Sequence, residues 1–216
     1  MGEALIDYLA RWGHYLAGIT WIGLLYYFNF VQTEYFKEAD AEARTDAFVK
    51  LVPRALWWFR WGAMFTLLTG LVMLGIRGAG VTLDITVGAV LGTLMFLNVW
   101  LIIWPNQRIL ISSNEQVKSG GEALAEAAAA APKAALASRT NTLFSIPMLF
   151  FMGSSAHYAH GGLNGNTTAL AVSLAIIAVL ELNSIFGKPG PMASVKGVII
   201  SGFALWIVLW AVVEVL

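Results

Sequence analysis

Six stretches of the chain run for about 20 residues almost without a charged position: 12–32, 55–76, 85–105, 140–158, 167–186 and 197–213. Their apolar side chains follow one another continuously instead of alternating, which predicts helices and not the strands of a membrane barrel. Each run matches the length a helix needs to cross the hydrocarbon of a bilayer. The pattern therefore predicts an all-α integral membrane protein, one membrane domain over residues 1–216, with six transmembrane helices in a lipid bilayer. The first run has no small-residue cleavage site after it and reads as a retained helix.

The polar connections differ in charge, and the difference orients the bundle. Lys37, Arg44, Lys50 and Arg54 lie between the first two runs, Arg108, Lys118, Lys133 and Arg139 between the third and fourth, and Lys188 and Lys196 between the last two. The opposite side carries only Arg11 and Arg77, so the excess of basic residues marks the cytoplasmic face and both termini are expected to be periplasmic. This is the pattern of a multi-pass membrane protein.

Between the runs, 33–48 is rich in Glu, Ala, Lys and Arg and predicts a helix, and 122–138 is an alanine-rich helical tract interrupted at Pro132. Gly161, Gly162, Asn164, Gly165 and Asn166 predict an outer turn, and residues 188–191, KPGP, an inner one.

Composition narrows the chemistry. Of 216 residues 58% are hydrophobic and 12% charged, half the charged share of a soluble domain, which supports a membrane protein. Thirteen basic and thirteen acidic residues cancel, leaving no basic face for nucleic acid. No cysteine is present, which excludes disulfides, thiolate metal sites and covalent c-type haem attachment. A homo-oligomer is compatible with the sequence but not specified by it.

Two polar groups then stand out. His14 and His157 fall near the outer ends of the first and fourth runs, at matching depth, with His160 just beyond as a substitute. Two facing helices would present their imidazoles to one iron. The alternative is a pair of interfacial histidines bonded to water. Gly18, Trp21 and Leu25 continue the face of His14, suiting close packing or a flat ring, while Gly88 and Gly92 form a GxxxG packing stripe. At the inner ends lie Arg60, Asn106, Gln107, Arg139, Asn141 and Glu181. Arginine and amide groups there suit an anion or haem propionates; equally, Arg60 would snorkel to the interface or pair with Glu181.

The strings HYLAGITWIGLLYYFNFVQ, PRALWWFRWGAMFTLLTG, NVWLIIWPNQ and SRTNTLFSIPMLFFM occur in this order. In that order they resemble the N-terminal membrane domain of the bacterial cytochrome c urate oxidases, or urate hydroxylases. The resemblance implies an integral membrane oxidoreductase that converts urate to 5-hydroxyisourate and passes electrons to a c-type cytochrome. Carried over by position, it marks His14, Trp21, Arg60, Asn106, Gln107, Asn141 and His157 as functional. With Arg139 of the inner polar group, Arg60, Asn106, Gln107 and Asn141 are the candidate catalytic positions; His14, Trp21 and His157 are the candidate cofactor positions, the paired histidines being expected to ligate the iron of a haem b.

The chain departs from that family in having six runs where longer members resemble eight-helix domains, in lacking a CxxCH motif, and in placing Thr140 before Asn141. The first run is also similar, more locally, to membrane protoporphyrinogen oxidase, a small helical haem protein. Two other functions fit the same residues: a non-enzymatic b-type haem protein or accessory subunit of a respiratory complex, and a cofactor-free structural or transport bundle. A transporter would show a broken helix near mid-membrane, for which Asn98 and Pro147 are the candidates.

Overall fold

The computed structural model describes residues 2–163 and 165–216, so Asn164 of the expected outer turn lies outside the described residues. Among those described the chain is helical, with one isolated bridge between Thr82 and Gly162 and no strand. In order, the helices are α1 (Glu3–Tyr26), α2 (Thr33–Glu38), α3 (Ala41–Lys50), α4 (Val52–Arg77), α5 (Leu83–Leu97), α6 (Trp104–Lys118), α7 (Ala127–His157), α8 (Thr167–Phe186) and α9 (Val195–Val215). Two π-helical segments, Tyr27–Gln32 and Asn98–Ile103, join α1 to α2 and α5 to α6 without a break.

Six long rods thus stand where six spans are expected, and four stretches are long and apolar enough to cross a membrane: Val52–Gly80, Leu83–Lys118, Thr167–Phe186 and Val195–Val215. The rods of α1 and α7 are as long but more polar. One opens with Glu3, Asp7 and Arg11; the other carries Lys133, Arg139 and a run of Thr, Ser and Asn.

Most rods outrun the apolar stretches that announce them. Pro53 sits in the first turn of α4, where its missing N–H costs nothing. Pro105 does not end the third span, because the carbonyl four residues back, with which its ring would clash, belongs to the wide π turn. Pro132 does not interrupt the alanine tract either. Ala130, Ala134 and Ala137 are buried there, and this packing holds α7 helical from Ala127 onward. The helix expected over 33–48 breaks at Ala39 and Asp40 into α2 and α3.

The central rod is α7. It packs on α5, α6, α8 and α9, and α1 packs mainly on α4. Glycine sets these distances. A Cβ on Gly62 would lie 3.2 Å from the Trp21 nitrogen, one on Gly88 3.2 Å from the Met152 nitrogen, and one on Gly202 2.5 Å from Ile146 Cδ1. The α5 glycine stripe is therefore a packing seam, as expected. The hydroxyls of Thr140, Thr142 and Ser145 on α7 are satisfied by carbonyls of its own preceding turn, which lets a polar helix sit in the core. Outward-facing Phe65, Leu71, Val179 and Phe203 leave the surface as apolar as the interior.

Candidate functional site

A cavity of about 560 Å³ opens among α1, α4, α5 and α7 at the end of the bundle that carries the histidines. This is the size range of small-molecule sites. His14 and His157 both line it, as do Trp21, Arg11 and Arg77. The two histidines expected to meet thus face one space. Gly18 and Gly153, also on its wall, have nothing within 4 Å of an added Cβ, so Gly18 opens space here and does not bring a helix closer.

The hydrogen bonds around His14 determine which nitrogen it offers. Thr69 Oγ1 donates to the Phe65 carbonyl at 2.6 Å. Its only proton being used, it accepts from His14 Nδ1 at 3.1 Å. Nε2 is then left with its lone pair, the arrangement that orients a metal-ligating histidine. His157 lies at the last turn of α7, exposed, with its ring engaged by no hydrogen bond among the described residues. Arg77 reaches only Ser155 Oγ, at 3.4 Å, and keeps donors for a carboxylate.

These residues fit a haem. Two imidazoles border one cavity, glycines leave its wall flat, and an underused guanidinium borders it at the same end. His14 and His157 would hold the iron. Among the described residues no cluster of three or more His, Asp or Glu residues is arranged to hold a metal ion by itself.

The arginine end is built differently. Neither the histidine-lined cavity nor a groove between α7 and α9 beside it is lined by Arg60, Asn106, Gln107, Arg139 or Asn141. Arg60 does not pair with Glu181. Its guanidinium lies 3.8 Å from the ring centroid of Trp104 and 5.1 Å from that of Trp100, a cation–π stack that replaces a carboxylate partner. Glu181 instead accepts from Asn98 Nδ2 at 3.1 Å, Asn98 Nδ2 also donates to Asn141 Oδ1 at 3.0 Å, and Asn141 donates to the Met95 carbonyl at 2.9 Å.

Asn106 bonds back to the Ile102 carbonyl. Buried Arg139 and half-buried Gln107 each keep one polar atom without a partner. Neither candidate for a broken helix breaks one: Asn98 opens the second π segment, which continues into α6, and Pro147 sits inside a continuous α7.

His160 is not a spare iron ligand. Its Nδ1 meets Asp84 Oδ1 and its Nε2 meets Glu214 Oε2, both at 2.8 Å, and its backbone N–H donates to Asp84 Oδ2. Burial works against a charge on this ring, but the hydrogen bonds to Asp84 and Glu214 outweigh it and its pKa is raised above the ordinary value. Gly161, at φ 92°, turns the chain here so that its carbonyl meets the Leu83 N–H. Asp84 and Thr69 are missing from the sequence reading. Asp84 had one signal, an acidic residue at the threshold of an apolar run; Thr69 had none, because its partner is 55 residues away.

Residues 77–213 match the sequence profile of the family described as urate oxidase N-terminal, more than half of the chain. The chain belongs to the urate oxidase N-terminal family. The matched segment takes in α5 to α9, with Asn106, Gln107, Arg139, Asn141 and His157; His14, Trp21 and Arg60 precede it. No curated protein and no solved structure matches the chain.

Proposed function

We propose that this member of the urate oxidase N-terminal family is a six-span inner-membrane oxidoreductase with both termini at the periplasmic face, using a haem b held between His14 and His157. The observation that carries the reading is the His14–Thr69–Phe65 hydrogen-bond chain, which uses the Nδ1 proton of a histidine bordering the same cavity as His157 and leaves its Nε2 a lone pair. A haem bound there supplies one-electron redox chemistry. Thr69 orients the His14 imidazole, Trp21 and the apolar walls would exclude water, and Arg77 would supply a guanidinium for the carboxylates of the group. Family membership supports urate as electron donor, yielding 5-hydroxyisourate, and a separate c-type cytochrome at the outer face as acceptor.

The test has two arms. Detergent-purified protein from haem-replete cells is expected to show a reduced-minus-oxidised haem b spectrum, and a colourless protein would overturn the reading in favour of a cofactor-free bundle. Membranes supplied with urate and a c-type cytochrome are expected to reduce the cytochrome. A haem spectrum without urate turnover would leave a b-type electron carrier, which the cavity supports equally.

A further inference from the structure

A second cavity lies on the other side of α7, between it and α9, about 660 Å³ and open along its flank. Phe150, Trp206 and Trp210 give it aromatic walls, and His157 and Gly153 belong to both cavities. Its rim, at the histidine end, is formed by Ser154 and Tyr158. Exposed apolar side chains of α7 and α9, Leu149, Phe203 and Ile207 among them, lie on the same helices, so in a membrane an occupant would enter from the lipid phase.

What separates this groove from a resting place for an acyl chain is the polar chain behind Ser154. Ser154 Oγ donates to Asp84 Oδ1 at 2.7 Å, Asp84 is fully buried, His160 bridges it to Glu214, and the Glu214 side chain is 42% exposed. A hydroxyl, a buried carboxylate, an imidazole and a surface carboxylate thus run unbroken from the groove to the surface. Such a chain moves protons, and an apolar acyl chain has none to exchange. The lipid-soluble ligands that combine a flat ring, a hydrocarbon tail and protons to gain or lose are the isoprenoid quinones.

We propose that the α7–α9 groove binds a quinone headgroup, and that Ser154, Asp84, His160 and Glu214 exchange its protons with water at the outer face. Reduction of a quinone takes two electrons and two protons to give the quinol. This chain delivers the protons. The electrons come from oxidation of urate with water, which releases two electrons and two protons. That half rests on the function proposed above and gives the lipid phase, beside the cytochrome, an outlet for electrons. Ser154 and Asp84 act on the proton at the quinone oxygen; His160 and Glu214 are positioning and relay residues.

The test uses the full chain in nanodiscs. Titration with decylubiquinone is expected to quench tryptophan fluorescence saturably, with decylbenzene having no such effect. Ser154→Ala is expected to weaken binding of the reduced form, decylubiquinol, about three- to tenfold, the loss of the hydrogen bond its hydroxyl donates to the Ser154 oxygen. Gly18→Leu, which fills the other cavity, is expected to leave it unchanged. Electrochemical reduction of the bound quinone is expected to shift a carboxyl infrared band that Asp84→Asn removes. His160→Gln, which keeps Asp84, is expected to slow dye-reported proton uptake at least about tenfold.

Equal binding of decylbenzene and decylubiquinone, showing a groove for acyl chains only, would overturn the proposal. So would a wild-type protein without the carboxyl band, or unchanged uptake in His160→Gln. Quinone binding that persists in a protein unable to oxidise urate defeats the preceding reading and spares this one. Urate turnover without quinone binding does the reverse.

Discussion

The two ends of the bundle hold polar groups in opposite ways. At the histidine end those lining the His14 cavity border open space: His14 is oriented by one threonine with Nε2 free, His157 has no hydrogen bond among the described residues, and Arg77 is barely engaged. At the arginine end the same kinds of group are largely consumed by one another. Arg60 is spent on two indoles, and Asn98, Asn141 and Glu181 close on themselves and a backbone carbonyl. Polar residues in a membrane helix are equally conspicuous in either state. What separates a side chain free to hold a ligand from a fastener is whether its bonding capacity is used up, and that depends on neighbours; the Ser154–Asp84–His160–Glu214 chain is a third case, in which the bonds themselves form the path.

The most drastic break in the comparison is His14→Ala. It is expected to abolish the haem b difference spectrum while circular dichroism stays helical, whereas Arg60→Ala keeps the spectrum; equal loss in both would erase the distinction. Thr69→Val leaves the ligand but removes its orienting oxygen. Haem affinity measured by titration of apoprotein is expected to fall about 10–100-fold.

Asn141→Leu tests the opposite end. It removes one of the two acceptors of Asn98 Nδ2 and the side-chain donor of the Met95 carbonyl, and is expected to lower unfolding stability in detergent by about 1–3 kcal/mol without touching the spectrum. Arg60→Lys loses the planar stack over Trp104 and is expected to cost about 0.5–2 kcal/mol in the same assay.

The smallest effect is one of pH. Because the folded pKa of His160 is raised, the stabilisation it brings is complete below the ordinary histidine value of about 6.5 and is lost as pH rises through the raised one. The melting-temperature gap between wild type and His160→Gln should therefore be widest in acid and narrow with alkali. A constant gap would show that the ring acts through shape alone.

The rods were legible because a bilayer demands long apolar runs, and their ends were not. Glu3–Arg11 and 106–118 are polar enough to read as loops, yet backbone hydrogen bonding carries the helix through them. That His14 and His157 border one cavity was legible from depth alone, since the first and fourth runs bring them to the same end of the bundle. The fate of Arg60 was not, because a carboxylate and two indoles compete for one guanidinium, and only packing decides which is near. Asp84 stayed hidden for a related reason. At the start of α5, two residues after the capping Thr82, it reads as a helix-end acid, and nothing local reveals that His160 and Ser154 converge on it.

The π segment Asn98–Ile103 carries a consequence for how relatives of this chain should be compared. One extra residue in a turn advances everything beyond it by about 100° around the axis. A family member lacking one residue there would keep the same letters in α6 but present them to different neighbours: Trp104 would leave Arg60, and that arginine would need another companion. A gap of a single position in an alignment at 98–103 would then mark a rewired arginine end, even between sequences that otherwise look alike.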